Sequence, residues 1–253
     1  MLNQEPLVGV LGGVGPLATS RLLRRVIELT DASADQAHAN LLVLNHAAIP
    51  DRTAYLLGSS AENPAPVLAA DAALLERAGC DAIVIPCNTS HVFYDEIQAA
   101  VSIPVVHLIE LVADAAAARG MQTLCILCTE GTRAANLYCA VCRSRGIRCR
   151  YPDTAVQEMV TSVIYDRVKA GKTASEQVLR SVIELELDAG GDGVVLGCTE
   201  LSVAFQDLAL AARYPAVLDS LELLAQETVV RAGKRLRAPV SYTHLTLPTI
   251  CSV

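Results

Sequence analysis

The sequence predicts an α/β protein made of two similar, pseudo-symmetric α/β domains, each a parallel sheet flanked by helices. The first observation is that short runs of Val, Ile and Leu alternate with longer amphipathic segments, a rhythm typical of βαβ units with buried parallel strands. The second is a weak internal repeat that pairs "DAIVIPCNTSHV" with "DGVVLGCTELSV". The repeat sets Cys87 and Cys198 111 positions apart, each at the carboxyl end of a predicted strand.

The predicted elements follow one another along the chain. Strands are predicted at six apolar runs, "LVGVL", "ANLLVLN", "DAIVIP", "IPVVHL", "TLCILC" and "DGVVLG". Helices are predicted at residues 18–29, 66–78, 95–101, 108–118, 132–145, 155–169 and 175–189, and a last helix at 218–232 is predicted to pack back onto the first unit.

These elements divide into two predicted domains. Residues 1–112 together with about 218–239 form the first domain, and residues 113–217 form the second. Because ligands of open parallel sheets bind beyond the carboxyl ends of the strands, the active site is predicted in the cleft between the domains. Residues 240–253 break the pattern and resemble translated adapter or vector sequence, which predicts a non-native or disordered tail; an edge strand is the alternative.

Length and composition narrow the kind of ligand. The chain has 253 residues, 52% of them hydrophobic, which is ample material for a core. A net charge of -7 without any basic run argues against nucleic acid and favours a small metabolite. No run approaches the roughly 20 apolar residues of a membrane span. The amino terminus lacks a signal-peptide pattern, so we expect a cytoplasmic protein whose nine cysteines are mostly reduced.

Two thiols at equivalent strand ends indicate a specific chemistry. Inversion of an amino-acid α-carbon needs a base on one face and an acid on the other, and Cys87 with Cys198 supply a thiolate and a thiol. The turns "PCNTSH" and "GCTE" place both cysteines just before helix N-termini, which favours the thiolate. Asn88, Thr89 and Thr199 are predicted to hydrogen-bond the α-carboxylate. Either cysteine alone would be interpreted as a buried structural residue at a strand end.

Five ordered motifs, "LGGVGPLAT", "IPDRT", "PCNTSH", "IYDRVKAG" and "GCTE", resemble the aspartate/glutamate racemases, and most closely the aspartate racemase branch. The resemblance extends from residue 8 to about 233. It implies a racemase of two α/β domains that interconverts L- and D-aspartate or glutamate with no cofactor, neither pyridoxal phosphate nor a metal, and that forms a homodimer. By position, Cys87 and Cys198 match the acid/base pair of that family, and Asn88, Thr89 and Thr199 match its α-carboxylate site.

The resemblance also implies a second anchor for a dicarboxylic substrate. Arg52 in "IPDRT" and Lys169 in "IYDRVKAG" match the cations that meet the side-chain carboxylate. This makes physical sense because the guanidinium fork binds a carboxylate bidentately. Outside these motifs either residue would be interpreted as a solvated surface charge.

Three further positions are candidates for a role in the site. His91 and Glu200 follow the two cysteines closely, and either could tune a thiol or contact the substrate ammonium group; His91 could equally be a structural histidine. Thr132 in "CTEGT" offers another hydrogen-bond donor, with a plain turn as the alternative.

Three positions depart from the family pattern: Val14, Ser90 and Cys128. These departures put in doubt which substrate side chain the site prefers, rather than which reaction it catalyses.

The glycine loop "GGVGPLA" has the G-x-G-x-x-A spacing of a dinucleotide-binding turn. Such a site also needs an acidic residue at the end of the next strand. There the chain has Asn45 and His46, and Asp51 is the first acidic residue after them. We therefore predict that Gly13 belongs to a wall of the amino-acid site, where glycine lets the backbone approach a ligand closely.

A zinc site is the competing interpretation of four other cysteines. Cys125-x-x-Cys128 and Cys139-x-x-Cys142 have suitable spacing for four thiolate ligands. The first pair lies in an apolar predicted strand, where positions three apart face opposite sides, and the second has the spacing of a buried helix stripe. We predict no metal site.

Other functions remain open alongside racemisation of acidic amino acids. A non-catalytic amino-acid sensor could use the same cleft, although a binder needs neither a proton donor nor a proton acceptor. Hydantoin racemase, maleate isomerase and arylmalonate decarboxylase share the cleft architecture. The paired cations Arg52 and Lys169 favour an acidic amino acid over the substrates of those enzymes.

Overall fold

The computed structural model describes residues 5–238, and within them the chain forms two parallel β-sheets flanked by helices. The predicted α/β fold class is therefore confirmed. Over the same residues no helix is both long and apolar enough to cross a bilayer. The predicted tail at 240–253 lies outside the described residues.

The first sheet has the strand order β2-β1-β3, with all neighbours parallel. Its central strand, β1, is almost entirely buried, which accounts for its apolar sequence. The strands are β1 (Leu7–Gly12), β2 (Asn40–Asn45) and β3 (Ala82–Val84), and the helices of this part of the chain are α1 (Pro16–Leu29), α2 (Arg52–Leu56), α3 (Ala65–Arg77) and α4 (Tyr94–Ala99), with 3-10 turns at Asp35–Ala37 and Thr89–Phe93.

The second sheet has the parallel order β5-β4-β6-β7. Its strands are β4 (Thr123–Leu127), β5 (Arg148–Arg150), β6 (Gly193–Leu196) and β7 (Val217–Asp219). The remaining helices are α5 (Leu108–Ala118), α6 (Glu130–Ala134), α7 (Leu137–Ser144), α8 (Thr154–Thr161), α9 (Glu176–Asp188), α10 (Thr199–Asp207) and α11 (Ser220–Arg231), and a π-helix, Ser162–Val168, continues α8.

The internal repeat of the sequence is a repeat of strand topology. β1 lies between β2 and β3 as β4 lies between β5 and β6, so the strands that precede the two cysteines, β3 and β6, occupy equivalent positions. On the side of β3 that faces away from β1, Val105 forms a parallel bridge to Ile83. The position of Val105 beside β3 is equivalent to the position of β7 beside β6. The two units therefore present the carboxyl ends of β3 and β6 in the same way.

The predicted strand at "IPVVHL" is wrong as a full strand, because only the bridge at Val105 forms there. Its backbone meets β3 in two hydrogen bonds, from Ile83 N to Pro104 O at 2.9 Å and from Val106 N to Ile83 O at 2.8 Å. The ladder stops at His107, whose side chain caps α5 by accepting from Glu110 N. Helix capping thus ends the extended segment early.

Two helices cross between the units. α5 packs on the second sheet, where Ile109 and Val112 share a core cluster with Leu124. α11 follows β7 and packs on the first sheet, where Leu221 joins the cluster of Val8, as the sequence predicts for the last helix. Residue 112, the predicted end of the first domain, lies inside α5, and the domain boundaries stay a prediction.

The predicted helix at 132–145 is wrong as one helix, because it divides into α6 and α7. Asn136 separates them with a φ of 51°, in the left-handed region that asparagine tolerates better than most residues. The predicted helix at 155–169 is continuous, but its second half is the π-helix, in which Lys169 N donates to Ile164 O. A π turn of this kind recurs at functional sites.

Replacement of Gly13 by alanine should destabilise the fold more than replacement of Gly58. Both glycines have a positive φ, 86° and 74°, but a Cβ at Gly13 would lie 2.4 Å from the backbone carbon of His46, whereas Gly58 has open space around it. Overpacking adds about 1–3 kcal/mol to the backbone strain that both variants share. Urea unfolding of G13A and G58A measures the difference, and equal losses would contradict it.

Candidate active site

Both cysteines of the repeat line a single cavity at the carboxyl ends of β3 and β6. Cys87 follows β3 in a tight turn closed by its N–H, which donates to Ile85 O at 2.8 Å. Cys198 is the N-cap residue of α10, directly before Thr199. The thiols are nearly buried, with 6% and 5% of their residue surfaces exposed. The other residues that line the cavity are Val14, Asp51, Arg52, Thr53, Asn88, Thr89, Thr129, Tyr165, Lys169, Thr199 and Glu200.

Glu200 connects Cys198 to Lys169. The Cys198 thiol donates to Glu200 Oε2 over 3.0 Å, and Glu200 Oε1 lies 2.9 Å from Lys169 Nζ. Burial alone would raise the pKa of Glu200, but Lys169 and the Cys198 thiol hold it below its usual value. Burial opposes the charge of Lys169 as well, yet the Glu200 carboxylate raises the pKa of the lysine. The pair is therefore ionised inside the cavity.

At Cys198 the helix N-terminus does not produce the expected thiolate. Burial, and after it the adjacent Glu200 carboxylate, raise the pKa of Cys198 well above its ordinary value, although Lys169 acts in the opposite direction. A carboxylate at hydrogen-bond distance and the loss of water outweigh the partial charge of one helix end. Cys198 thus holds its proton.

His91 lies behind Cys87 rather than beside its thiol. Its Nδ1 is 2.8 Å from Cys87 O, and its Nε2 is 3.4 Å from Val106 O. Burial lowers the pKa of His91 to about 4, so the ring is neutral at physiological pH. With both ring nitrogens directed at backbone carbonyls, His91 positions the turn that carries Cys87.

Three threonine hydroxyls bridge the two units. Thr89 Oγ1, from the turn after β3, lies 3.1 Å from Thr129 Oγ1 and 2.9 Å from Thr132 Oγ1. Thr129 is also the N-cap of α6 and accepts from Thr132 N. Thr89 and Thr129 line the cavity, while Thr132 is fully buried behind Thr89. The cluster therefore fixes the turn after Cys87 against the start of α6.

The Asn88 amide is oriented by two residues that sequence reasoning missed. Tyr138 of α7 donates its hydroxyl hydrogen to Asn88 Oδ1, and Asn88 Nδ2 donates to Ser220 Oγ at 3.1 Å. Ser220 in turn donates to Leu196 O, at the end of β6, over 2.7 Å. Both partners are fully buried in the second half of the chain. No short motif signals them, because the contacts join positions far apart in sequence.

Arg52 is held mainly by backbone carbonyls. Its Nη2 donates to Val14 O and its Nη1 to Pro50 O, each at 3.1 Å. Within residues 5–238 the buried Nε has no hydrogen-bond partner. Arg52 lines the cavity together with Lys169, whose charge is already shared with Glu200.

Three cavity residues stand inside the motifs but were not singled out from the sequence. Asp51 caps α2, since its carboxylate accepts from Ala54 N at 2.9 Å. Thr53 follows Arg52 on α2, and Tyr165 lies in the π-helix. Lys169 Nζ lies 5.7 Å from the centre of the Tyr165 ring. The motifs "IPDRT" and "IYDRVKAG" contain all three residues, so their residue types were a usable signal.

The glycine loop closes one side of the cavity. Val14 lines it directly, and Gly13 lies behind, where its N–H donates to Thr19 Oγ1 at 2.9 Å. A Cβ at Gly15 would stand 3.0 Å from Glu200 Oε1, so the small residue lets the loop approach this carboxylate. The loop of the first unit therefore faces α10 of the second.

The two cysteines of the first CxxC pair separate in the fold. As expected, Cys125 and Cys128 belong to different core clusters, and both are fully buried. Burial raises the pKa of each of these thiols. Among residues 5–238, no group of three or more His, Cys, Asp or Glu side chains has the arrangement to hold a metal ion.

The fold and the cavity define a class of protein: two parallel α/β units with a cysteine at each facing strand end. A profile of the family described as Asp/Glu/Hydantoin racemase matches residues 11–228, so the chain belongs to this family.

Relatives of known structure or name agree with this membership. The chain is 27% identical to the broad specificity amino-acid racemase RacX of Bacillus subtilis over 227 residues, which is 88% of this chain and 96% of the relative. It is 30% identical to a glutamate racemase of Deinococcus radiodurans, covering 76% of this chain and 62% of that protein. The solved Picrophilus torridus aspartate racemase superposes with a TM-score of 0.77 and 29% identity, covering 92% of this chain and 96% of the other.

Loss of His91 should flatten the pH dependence of stability. The pKa of this buried ring is about 4, against about 6.5 for an unfolded histidine. Between these values the unfolded chain binds more protons, so the free energy of unfolding falls by up to about 3 kcal/mol as the pH drops from 6.5 to 4. H91N, which keeps a donor near the Cys87 carbonyl, should lose this slope in urea unfolding series. A matched H38N variant should keep it, and an unchanged slope in H91N would contradict the assignment.

Proposed function

We propose that this protein is a racemase of acidic amino acids that interconverts L- and D-aspartate or glutamate without pyridoxal phosphate. The observation that carries the proposal is that Cys87 and Cys198, from equivalent strand ends of the two units, line one cavity. Racemisation needs an acid and a base on opposite faces of one carbon, and two thiols at the ends of facing units meet that need.

The raised pKa of Cys198 supports this thiol as the acid in one direction of the reaction. In that direction the sulfur of Cys87 takes the α-proton, and the C–H electron pair moves into the α-carboxylate. Cys198 then gives its proton to the opposite face of the α-carbon. The roles are exchanged for the other enantiomer, when the Cys198 thiolate is stabilised by the Lys169 ammonium group.

Groups around the thiols support the charge that forms on the α-carboxylate. Thr199 opens α10, so the backbone N–H groups of its first turn have no acceptor inside the helix. Asn88 and Thr89 line the same cavity beside Cys87. Hydrogen-bond donors fixed in advance stabilise an enediolate in the transition state more than they stabilise the substrate.

The cations of the cavity favour an acidic substrate. Arg52 Nε is a buried donor directed to no protein acceptor within residues 5–238, and Lys169 lies on the cavity wall with Glu200. The Picrophilus relative is named an aspartate racemase, which supports aspartate first. Lys169 is held as an ammonium ion by Glu200, and a charged lysine is not the nucleophile that pyridoxal phosphate requires. The homodimer implied by the resemblance stays a prediction.

Substitution of either cavity cysteine should abolish racemisation. With L-aspartate in heavy water and no pyridoxal phosphate or metal added, the wild-type protein should exchange the α-hydrogen for deuterium while the optical rotation decays. C87S and C198S should each lose about 10²–10⁴-fold in rate, the usual contribution of a general acid or base. Proton NMR and polarimetry measure the two processes.

The control for these variants is C80A, which alters a buried cysteine of the first core away from the cavity and should keep the wild-type rate. Normal racemisation by both serine variants would disprove the two-thiol mechanism. Folded wild-type protein that binds aspartate in calorimetry without exchanging its α-hydrogen would favour the sensor.

Removal of the Glu200 charge should shift the alkaline limb of the pH profile. E200Q keeps an acceptor near the thiol but removes the carboxylate that raises the pKa of Cys198. The Cys198 thiol then ionises at lower pH, so kcat/KM should fall on the alkaline side at a lower pH than in the wild type. The shift should be the same for both enantiomers, because their free energies are equal and the two kcat/KM values must therefore stay equal.

Circular dichroism progress curves from each enantiomer across pH 5 to 9 measure this shift. E184Q, in which an exposed carboxylate of α9 is replaced, is the matched control and should keep the wild-type profile. A loss of rate that is the same at every pH, with the alkaline limb unshifted, would contradict the assigned role of Glu200.

A further inference from the structure

A glycine occupies the same place in both units. The segment "GVLGGVGPLA" of the first unit aligns with "CILCTEGTRA" of the second, and the alignment pairs Gly15 with Gly131. Gly15 is the N-cap residue of α1, which follows β1, and Gly131 lies in the first turn of α6, which follows β4. Because β1 and β4 hold equivalent positions in their sheets, the two glycines begin equivalent helices.

Both glycines leave space for a residue of the other unit. A Cβ at Gly15 would stand 3.0 Å from Glu200 Oε1, and a Cβ at Gly131 would stand 2.9 Å from the Cα of Thr53 on α2. The end of a glutamate side chain can turn aside, whereas a Cα moves only together with its helix. Gly131 has no positive φ, and alanine forms helices better than glycine. The close approach of α2 therefore accounts for the glycine in α6.

α2 forms one wall of the proposed active site. Asp51, Arg52 and Thr53, at the start of this helix, line the cavity. The free volume of the cavity is about 20 Å³, which is enough for about one water molecule. An amino acid with two carboxylates is several times larger. One wall must therefore move before such a molecule can bind.

The contacts of α2 make it the wall that can move. This helix has five residues, none of them buried, and residues 57–63 after it are exposed except for Ser60, which is half-buried. The strand ends around the thiols are held instead by buried hydrogen bonds, such as that of 3.1 Å between Thr89 and Thr129. Segments with few buried contacts open at the lowest free energy.

We propose that α2 is a lid that closes onto Gly131, and that Gly131 is a positioning residue for Arg52. Thr53, which contacts Gly131, follows Arg52 directly on the same short helix. A side chain at position 131 would hold α2 away from α6 and would displace Arg52 from the cavity wall. The statement about Arg52 as a substrate contact rests on the proposed function, whereas closure of α2 onto Gly131 does not.

Alkylation of Cys87 measures the position of the lid without any turnover. Reduced protein is treated with iodoacetamide for increasing times, and digests are analysed by mass spectrometry. Cys87 should react about tenfold faster in G131A than in the wild type, since overpacking of this size shifts an equilibrium by about that factor. Cys80, which is 4% exposed against 6% for Cys87, should react at the same rate in both proteins and reports that the fold is intact.

G191A is the matched control for this variant. Gly191 also lacks a positive φ, and a Cβ there would stand 3.2 Å from Glu186 O, outside the cavity. G191A should keep the wild-type rate at Cys87. An equal rate at Cys87 in folded G131A and in the wild type would overturn the proposal. Absence of racemisation by the wild type would count against the proposed function and would leave this test intact.

A crosslink tests the closed position in the opposite direction and does not require G131A to fold. A Cβ at Gly131 would stand 3.2 Å from the Cβ of Thr53, close to the roughly 3.5 Å of the shortest disulfides. T53C/G131C should form a disulfide with oxidised glutathione, and Cys87 should then react more slowly than after reduction with dithiothreitol. Wild-type protein taken through the same steps is the control. Failure of the folded variant to form this disulfide would contradict the contact between α2 and α6.

Kinetics test the link between Gly131 and Arg52. G131A should raise KM for L-aspartate about tenfold, the equivalent of one hydrogen bond to a charged group, with little change in kcat. Such a split is expected because a contact with the side-chain carboxylate is the same in the substrate and in the transition state. A loss confined to kcat, together with faster alkylation of Cys87, would contradict the role assigned to Gly131 in positioning Arg52.

Discussion

Hydrogen bonds between buried polar groups hold the carboxyl end of β3 against those of β4 and β6, and the geometry of the cavity depends on them. Thr89 meets Thr129 and Thr132 on one side of this contact, and Asn88 meets Tyr138 and Ser220 on the other. A buried polar group without a partner costs about 1–3 kcal/mol, so separation of the units would leave several such groups unpaired. The three strand ends are thereby fixed relative to one another.

An ion pair accounts for the charged groups inside the cavity. Glu200 and Lys169 come from different elements of the second unit, the first turn of α10 and the end of the π-helix, and they neutralise each other 2.9 Å apart. Removal of one partner of such a pair leaves the other charge buried and unpaired. Burial and the Glu200 carboxylate, which also accepts from Cys198, keep the proton on this thiol, although Lys169 acts in the opposite direction.

The sequence predicted the parallel sheets and the two cysteines because both leave local signals. Buried parallel strands appear as apolar runs, and the repeat put Cys87 and Cys198 at the ends of two of them. The errors arose where tertiary contacts decide. "IPVVHL" has the composition of a strand but gives way to the cap of α5 at His107, and the helix at 132–145 breaks at Asn136, which a helical periodicity does not reveal. Thr132 appeared as a possible ligand contact, and the fold buries it behind Thr89.

The sequence by itself determined the fold class, the family and the residue types that the chemistry needs, since apolar periodicity and short motifs are properties of neighbouring positions. Only the tertiary structure decided how those residues act. Tyr138 and Ser220 orient Asn88 across long separations in the chain, and burial together with Glu200 keeps the proton on Cys198. The pKa of a thiol and the orientation of an amide depend on solvent exclusion and on partners brought close by folding, and neither is written in the neighbouring residues.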